Sequence, residues 1–209
     1  MTGGKYTRNS KMKDFEKDIE QMMKDRGMPS IDDSVNIKIE KADEILYRAA
    51  LWYFGRIKKE FKPMPEYRQI ANWLEDNQGK GLLLFGNHGR GKTILAKYII
   101  PAILLYFSEP SYICNYYKST AIGKRLDEAL KKRVIVIDDM GVESQAVEYG
   151  TRRNIMDEVM DAVEQDGKLI IITTNLDKQG IIDRYGQGVY DRIIQTTKRV
   201  AFTGDSLRG

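Results

Sequence analysis

Residues 79–93, GKGLLLFGNHGRGKT, decide the fold of this 209-residue chain. The apolar run at 81–85 predicts a buried strand, and the apolar residues at helical spacing over 92–107 predict a helix. Between them, residues 86–93 fit the pattern G-x-x-x-x-G-K-[ST]. Glycines let several backbone N–H groups converge on one anion, and the N-terminus of the helix adds positive partial charge. The segment therefore predicts a phosphate-binding loop.

The side chains of this loop suit a nucleoside triphosphate with Mg²⁺. We expect Lys92 to reach the β- and γ-phosphates and Thr93 to ligate Mg²⁺ through its hydroxyl. ATP is the expected nucleotide. His88 fills a variable position, and we interpret it as a solvent-facing residue rather than a base, because nothing in the sequence pairs with it. The predicted nucleotide-binding residues are Gly86, Asn87, His88, Gly89, Arg90, Gly91, Lys92 and Thr93.

A second motif, VIVIDD at residues 134–139, reads as a buried strand that ends in carboxylates. In open α/β sheets ligands bind at the carboxyl ends of the strands. We therefore expect Asp138 to be the Mg²⁺ partner, acting through water, and Asp139 to be a base or water-positioning group. Glu143 could share that role. The alternative is a strand that simply ends in solvated acids.

A third apolar strand, KLIIITTN at residues 168–175, ends in Asn175. An amide at this edge can orient the attacking water against the γ-phosphate. The alternative is an asparagine that only forms the turn after a strand.

Strands alternate with helices along the chain, which predicts an α/β fold with a mainly parallel sheet covered on both faces. Pro101 lies inside a predicted helix and should kink or end it. The predicted strands are 81–85, 111–116, 134–138, 168–173 and 199–203. The predicted helices are 11–26, 38–61, 66–75, 92–107, 119–131, 151–165, 177–185 and 189–195.

Composition excludes several classes of site. Cys114 and His88 are the single cysteine and the single histidine, so an internal disulfide and a tetrahedral zinc site are excluded. We expect a cytoplasmic protein without a membrane span, because no secretory signal and no apolar stretch of about 18 residues is present. A net charge of +4 permits contact with nucleic acid without demanding it.

Taken in this order, the motifs resemble the AAA+ superfamily, and within it the DnaC/IstB-type branch of helicase loaders and transposition helper ATPases. The resemblance covers roughly residues 66–209. It implies a P-loop NTPase with a five-stranded parallel sheet, flanking helices and a minimal or absent C-terminal lid. It also implies a small N-terminal helical region at 1–65, with a disordered leader, that could bind a partner. The segments that carry it are WL (73–74), GKGLLLFGNHGRGKT (79–93), VIVIDDMGVE (134–143), IIITTNL (170–176), YDRI (190–193) and FTGDSLRG (202–209).

The resemblance implies roles for four more groups. Asn175 would be sensor 1, Arg192 the arginine finger that acts on a neighbouring subunit's ATP, and Arg208 sensor 2. Arg184 is the alternative finger, and a solvated partner of Asp191 is the alternative role for Arg192. The second acid is an aspartate where the family more often has a glutamate, so we expect hydrolysis to be slow and stimulated by assembly.

The resemblance also implies the function. We expect an ATPase that forms a nucleotide-dependent homo-oligomer and delivers a hexameric replicative helicase to single-stranded DNA. An IstB-like transposition helper, which assembles on duplex DNA and recruits a transposase, is the alternative. A kinase or GTPase is disfavoured, because the segment after Asn175 has few arginines and no N-K-x-D segment reads guanine. The basic residues that could contact DNA weakly and non-specifically are Lys118, Lys124, Arg125, Lys131, Lys132 and Arg133.

Overall fold

The computed structural model describes residues 34–143 and 155–207, together with residues 15, 18, 19, 21–23, 25 and 26. The chain divides into two units, residues 1–33 and 34–209. In the first unit, residues 21–23 are helical, inside the helix predicted over 11–26.

A parallel sheet of five strands forms the centre of the second unit, in the order β2-β3-β4-β1-β5. This confirms the predicted sheet. All carboxyl ends meet at one edge, and β4 separates β1 from β3. The strands are β1 (Gly81–Gly86), β2 (Cys114–Lys118), β3 (Val134–Met140), β4 (Leu169–Thr174) and β5 (Thr197–Phe202).

Helices cover both faces of the sheet, which explains why the central strands are near-continuous apolar runs. Helices α1 to α3 pack on one face: α1 (Ala42–Arg56), α2 (Glu66–Glu75) and α3 (the consecutive segments Lys92–Ile94, Leu95–Ile99 and Ile100–Phe107). The others pack on the opposite face: α4 (Ser119–Ile122, Gly123–Arg125 and Leu126–Ala129), α5 (Ile155–Gln165), α6 (Lys178–Tyr185) and α7 (Gln187–Thr196). No helix in the described ranges is long and apolar enough to cross a membrane.

Helix α3 includes Pro101, where the sequence predicted a kink or an end, and its hydrogen-bond pattern changes immediately before the proline. Its middle segment, Leu95–Ile99, is a π-helix, and the N–H of Ile100 donates to the carbonyl of Leu95. Pro101 then occupies the first turn of the following α-helical segment. Proline lacks an N–H, and a π-turn is one way in which a helix absorbs a break in its hydrogen-bond ladder. One helix therefore runs from the phosphate loop to Phe107.

The compact unit begins at residue 34, earlier than the predicted ATPase boundary at 66, because the preceding segment belongs to the core. Ile37 and Leu46 are buried within it. The amide side chain of Asn77 accepts from the N–H of Ile37 at 2.7 Å and donates to the carbonyl of Val35 at 2.8 Å. Whether residues 1–65 act as a separate functional region stays a prediction.

Candidate functional site

The strand order brings the three predicted motifs together. Because β4 lies between β1 and β3, the residue that follows β4 sits between the loop after β1 and the acids of β3. The Lys92 ammonium donates to Asn175 Oδ1 at 2.8 Å. Two residues before Asn175, Thr173 Oγ1 donates to Asp138 Oδ1 at 2.6 Å. The predicted groups of all three strand ends thus form one connected cluster.

The loop after β1 has the tight backbone that the glycines predicted. Gly86 has φ +114°, and a Cβ there would lie 2.3 Å from the carbonyl oxygen of Phe202 in β5, so no larger residue fits. Lys92 is buried, and its ammonium donates to the carbonyls of Gly86 and Asn87, both at 2.7 Å. Its charge is therefore held at the mouth of the loop. A triphosphate that enters the loop competes with these carbonyls for the ammonium.

Asp138 is 1 % exposed, and three hydroxyl groups satisfy its carboxylate. Oδ1 accepts from Thr93 at 2.9 Å and from Thr173 at 2.6 Å, and Oδ2 accepts from Tyr116 at 2.7 Å. A buried carboxylate is costly without such donors. Burial, together with the hydrogen bond to Asp138, raises the pKa of Tyr116, so its hydroxyl remains a donor.

The pair Thr93 and Asp138 fits a Mg²⁺ ion that is held mainly by phosphates and water. Both offer oxygen atoms as metal ligands, and Thr93 Oγ1 lies 2.9 Å from Asp138 Oδ1. In the described part of the chain, no cluster of three or more His, Cys, Asp or Glu side chains could hold a metal ion by itself. Magnesium prefers oxygen ligands. At phosphate sites it is usually bound by one or two protein carboxylates, while phosphates and water supply the other ligands.

Asp139 occupies a β-bulge and a left-handed backbone conformation, φ 56°. Its N–H donates to Thr173 Oγ1 at 2.9 Å, and its carbonyl accepts from Ser119 Oγ at 2.7 Å. This conformation costs a non-glycine residue about 1–2 kcal/mol, and these two bonds hold it. The Asp139 side chain is half-buried. Its predicted role as a base stays a prediction.

Glu143 is engaged with α6. Its carboxylate accepts from the N–H of Gly141 at 3.0 Å and from the Tyr185 hydroxyl. Arg184 donates to the backbone carbonyl of Glu143 and lies 3.6 Å from its carboxylate. These contacts tie the segment after β3 to α6. Both the second candidate acid and the alternative finger are thus held within the chain.

Arg192, the predicted arginine finger, lies in a pocket of acids on α5. Its guanidinium contacts Asp157 at 2.6 Å, Asp161 at 2.9 Å and Glu164 at 3.5 Å, and its side chain is 33 % exposed. The acids recur at helical spacing, so one face of α5 presents them to α7. A role in a neighbouring subunit would require Arg192 to leave these carboxylates.

The segment after β5 lies against the outer side of the loop. Asn87 donates to the carbonyl of Gly204 at 2.9 Å, and the N–H of Leu207 donates to the carbonyl of Gly89 at 3.1 Å. Gly89 has φ +74°, and a Cβ there would lie 2.1 Å from Ser206 Oγ. The loop therefore has a fixed outer wall made of the chain's own C-terminal strand extension.

Arg90 links this wall to α2. Its guanidinium pairs with Glu66 Oε1 at 2.9 Å and donates to the carbonyl of Asp205 at 3.3 Å. The Arg90 and Glu66 side chains are 12 % and 6 % exposed. Arg90 therefore anchors the loop between α2 and the segment after β5.

The remaining predicted residues fall in two places. His88 is exposed and lines, together with Asn175, a cleft of about 410 Å³ beside the loop. Arg208, the predicted sensor 2, lies outside the described residues.

Sequence reasoning missed four residues that support the site: Tyr116, Thr173, Ser119 and Glu66. Thr173 had a usable signal, because Thr173 and Thr174 are polar residues that end an apolar strand directly before Asn175. The other three contact the site from other elements. Their positions follow from the strand order and the helix packing, which the sequence pattern leaves open.

Comparison with known families and structures agrees with this geometry. The sequence model of the novel STAND NTPase 3 family matches residues 61–178, which is more than half of the chain. The match includes the phosphate loop, Asp138 and Asn175. A comparison with curated proteins finds no match.

Solved structures share the fold at low sequence identity. A crystal structure of DnaI has a TM-score of 0.53 and 18 % identity, over 79 % of this chain and 96 % of that chain. The DnaC helicase loader has a TM-score of 0.55 and 19 % identity, over 76 % and 98 %. AMPPCP-bound DnaA from Aquifex aeolicus has a TM-score of 0.50 and 16 % identity, over 69 % and 49 %. These similarities show a shared fold, and the family match shows that the chain belongs to the novel STAND NTPase 3 family.

Proposed function

We propose that this chain binds and hydrolyses ATP and uses the cycle to deliver a hexameric replicative helicase to single-stranded DNA, as a DnaC-like loader. The observation that carries the nucleotide chemistry is a set of two hydrogen-bonded pairs, Lys92 with Asn175 and Thr93 with Asp138, which meet because Lys92 and Thr93 are consecutive residues. The loader role is supported by the fold that the chain shares with the DnaC helicase loader.

Each residue of the cluster has a part in binding. Lys92 exchanges its loop carbonyls for the β- and γ-phosphates, and the backbone N–H groups of residues 86–93 surround the phosphate oxygens. Thr93 and Asp138 would hold Mg²⁺, which when bound neutralises charge on the β- and γ-phosphates. Release of Lys92 frees the amide of Asn175 to orient the attacking water.

Asp139 is the proposed group that accepts the proton of that water. Asp139 is half-buried and directly follows Asp138, whereas the Glu143 carboxylate accepts a hydrogen bond from the Tyr185 hydroxyl. An aspartate reaches about one methylene less far than a glutamate, so slow turnover is part of the proposal.

Assembly completes the site in this proposal. Arg192 of one protomer enters the nucleotide site of its neighbour, where a fixed positive charge is worth about 10³–10⁵ in turnover. The acids of α5 that hold Arg192 within the chain supply a reason for low turnover without assembly. Arg208 remains a proposed sensor 2.

A partner surface is available on α1. Trp52, Tyr53 and Phe54 are three consecutive aromatic residues on this helix. Tyr53 and Phe54 pack on the core, whereas Trp52 is 59 % exposed beside the exposed Leu51. Exposed aromatic residues of this kind are frequent anchors of protein interfaces. The helicase is the proposed partner of this face, with DNA contacting the basic residues around α4 weakly.

Nucleotide chemistry is tested first with two lysine variants. Lys92→Ala should abolish binding of a fluorescent ATP analogue, because it removes the buried ammonium at the loop. Lys124→Ala is the matched control, since Lys124 is exposed on α4 and should leave nucleotide affinity unchanged. Equal affinities for both variants would overturn the assignment of the loop.

The loader role is tested by size-exclusion chromatography with light scattering, using the replicative helicase from the same genome. We expect co-elution at a defined stoichiometry that depends on ATP and Mg²⁺, and loss of co-elution when Trp52 is replaced by alanine. ATP-dependent self-assembly on duplex DNA without helicase binding would instead favour the transposition helper.

A further inference from the structure

Tyr116 contacts the oxygen of Asp138 that the phosphate loop does not reach. Its hydroxyl donates to Oδ2 at 2.7 Å, whereas Thr93 and Thr173 both donate to Oδ1. Tyr116 pairs with Val136 in the neighbouring strand β3. Val136 and Asp138 are two residues apart in β3, so their side chains lie on the same face of the sheet. The ring therefore extends along that face, from β2 to the carboxylate of β3.

The Tyr116 ring is itself held in place by α3. Lys97 Nζ lies 4.8 Å from the centroid of the Tyr116 ring and 5.0 Å from that of Tyr98. Tyr98 in turn stacks on Tyr53 of α1, with centroids 5.1 Å apart. A cation between two aromatic faces is attracted to both. The helix that begins at the loop thus fixes the hydroxyl as well as Thr93.

We propose that Tyr116 is a positioning residue that sets the Mg²⁺ requirement of the nucleotide site by fixing the carboxylate of Asp138. The inference rests on the proposed function. Rotation of an aspartate carboxylate about its last torsion is soft, so its orientation depends on its hydrogen bonds. Donors on both oxygens hold one orientation, whereas donors on Oδ1 alone leave Oδ2 without a partner in a nearly fully buried place.

Loss of the hydroxyl should weaken the response to Mg²⁺ and leave metal-free nucleotide binding unchanged. Groups that orient a metal-binding side chain are commonly worth about 10–100-fold in metal affinity. We expect the lower end, about tenfold, because Thr173 continues to hold Oδ1. Binding of the triphosphate without metal depends on the loop and Lys92, whereas the Tyr116 hydroxyl donates to Asp138 on β3.

The test measures the affinity of a fluorescent ATP analogue in EDTA and over a series of Mg²⁺ concentrations. Tyr116→Phe should raise the Mg²⁺ concentration for half-maximal effect about tenfold and leave the affinity in EDTA within about twofold of wild type. Tyr117→Phe is the matched control, because its hydroxyl lies 3.4 Å from Glu128 on the opposite face of the sheet. It should leave both quantities unchanged.

Two further variants keep the result interpretable. Lys97→Gln retains the Tyr116 hydroxyl but loosens its ring, and should shift the Mg²⁺ requirement in the same direction by about threefold. Asp138→Asn should abolish most of the effect of Mg²⁺ on nucleotide affinity. It therefore marks the largest loss that a change at Tyr116 could produce.

Three outcomes would overturn the inference. The first is a Tyr116→Phe variant whose Mg²⁺ requirement equals that of Tyr117→Phe. The second is a Tyr116→Phe variant whose affinity in EDTA falls as much as its affinity in Mg²⁺, since this would indicate a general structural role. The third, a wild-type protein that binds no nucleotide, would overturn the proposed function and this inference together. If Asp138→Asn loses the Mg²⁺ effect while Tyr116→Phe keeps it, only the role of Tyr116 fails.

Discussion

Replacement of Thr173 by valine isolates the contribution of one buried hydroxyl to the site. Thr173 lies in the centre of the sheet with 0 % exposure. Its Oγ1 donates to Asp138 Oδ1 at 2.6 Å and accepts from the N–H of Asp139 at 2.9 Å. Valine has nearly the same shape, so the substitution removes both bonds without creating a large cavity.

The expected loss of stability follows from these two bonds. A hydrogen bond to a charged group contributes about 1.5–3 kcal/mol, and a half-buried N–H left without a partner costs about 1–3 kcal/mol. The Asp139 backbone, already in a left-handed conformation, also loses one of its two anchors. We therefore expect unfolding to become easier by about 3 kcal/mol. For a unit of this size the melting temperature should fall by about 6–12 °C.

Urea denaturation followed by circular dichroism measures this change, and Thr197→Val is its control. Thr197 is also buried in a strand, but its hydroxyl donates to a neutral group, the carbonyl of Ile193, at 2.6 Å. This variant should lose only about 1 kcal/mol. The reasoning is refuted if Thr173→Val is destabilised no more than Thr197→Val at the same denaturant slope.

Two further predictions concern Arg192 and Cys114. Arg192→Ala should leave three carboxylates of α5 facing α7 without their cation, and should cost about 1 kcal/mol after allowance for solvent screening, measured by thermal melting. It should spare nucleotide binding and remove assembly-stimulated turnover; normal turnover in the assembled state would contradict the finger assignment. Burial raises the pKa of the Cys114 thiol to about 12. At pH 8 its thiolate should therefore be about 10³-fold scarcer than that of an unperturbed thiol. A thiol-specific disulfide reagent should react fully with Cys114 only after unfolding. Because the neutral thiol is favoured in the fold, this residue contributes stability that is complete below about pH 9 and is lost as the pH rises toward 12; rapid labelling of the native protein at pH 8 would contradict the prediction.

Local signals were sufficient for most of the elements. The helix predicted over 66–75 matches α2, and the glycine-rich loop stands where the sequence placed it, because a strand, a glycine turn and a helix start are all encoded within a few residues. The helix predicted over 38–61 is shorter in the structure, Ala42–Arg56. Phe61 is still buried in part, because its ring packs on Phe54 and Tyr67 from outside the helix. Its burial follows from these ring contacts and not from a continued helix.

The sequence by itself determined the parallel sheet, and it predicted the glycine-rich loop with Lys92, Thr93 and Asp138 as one site. Each of these follows from a contiguous pattern whose physical cause is local. Only the tertiary structure decided that Tyr116 and Thr173 hold Asp138, that Asp139 sits in a bulge, and that Arg192 lies among acids. Those relations join side chains far apart in sequence, and they depend on which strands are neighbours and which helix faces meet. Strand order is set by packing of the whole core, so no window of sequence contains it.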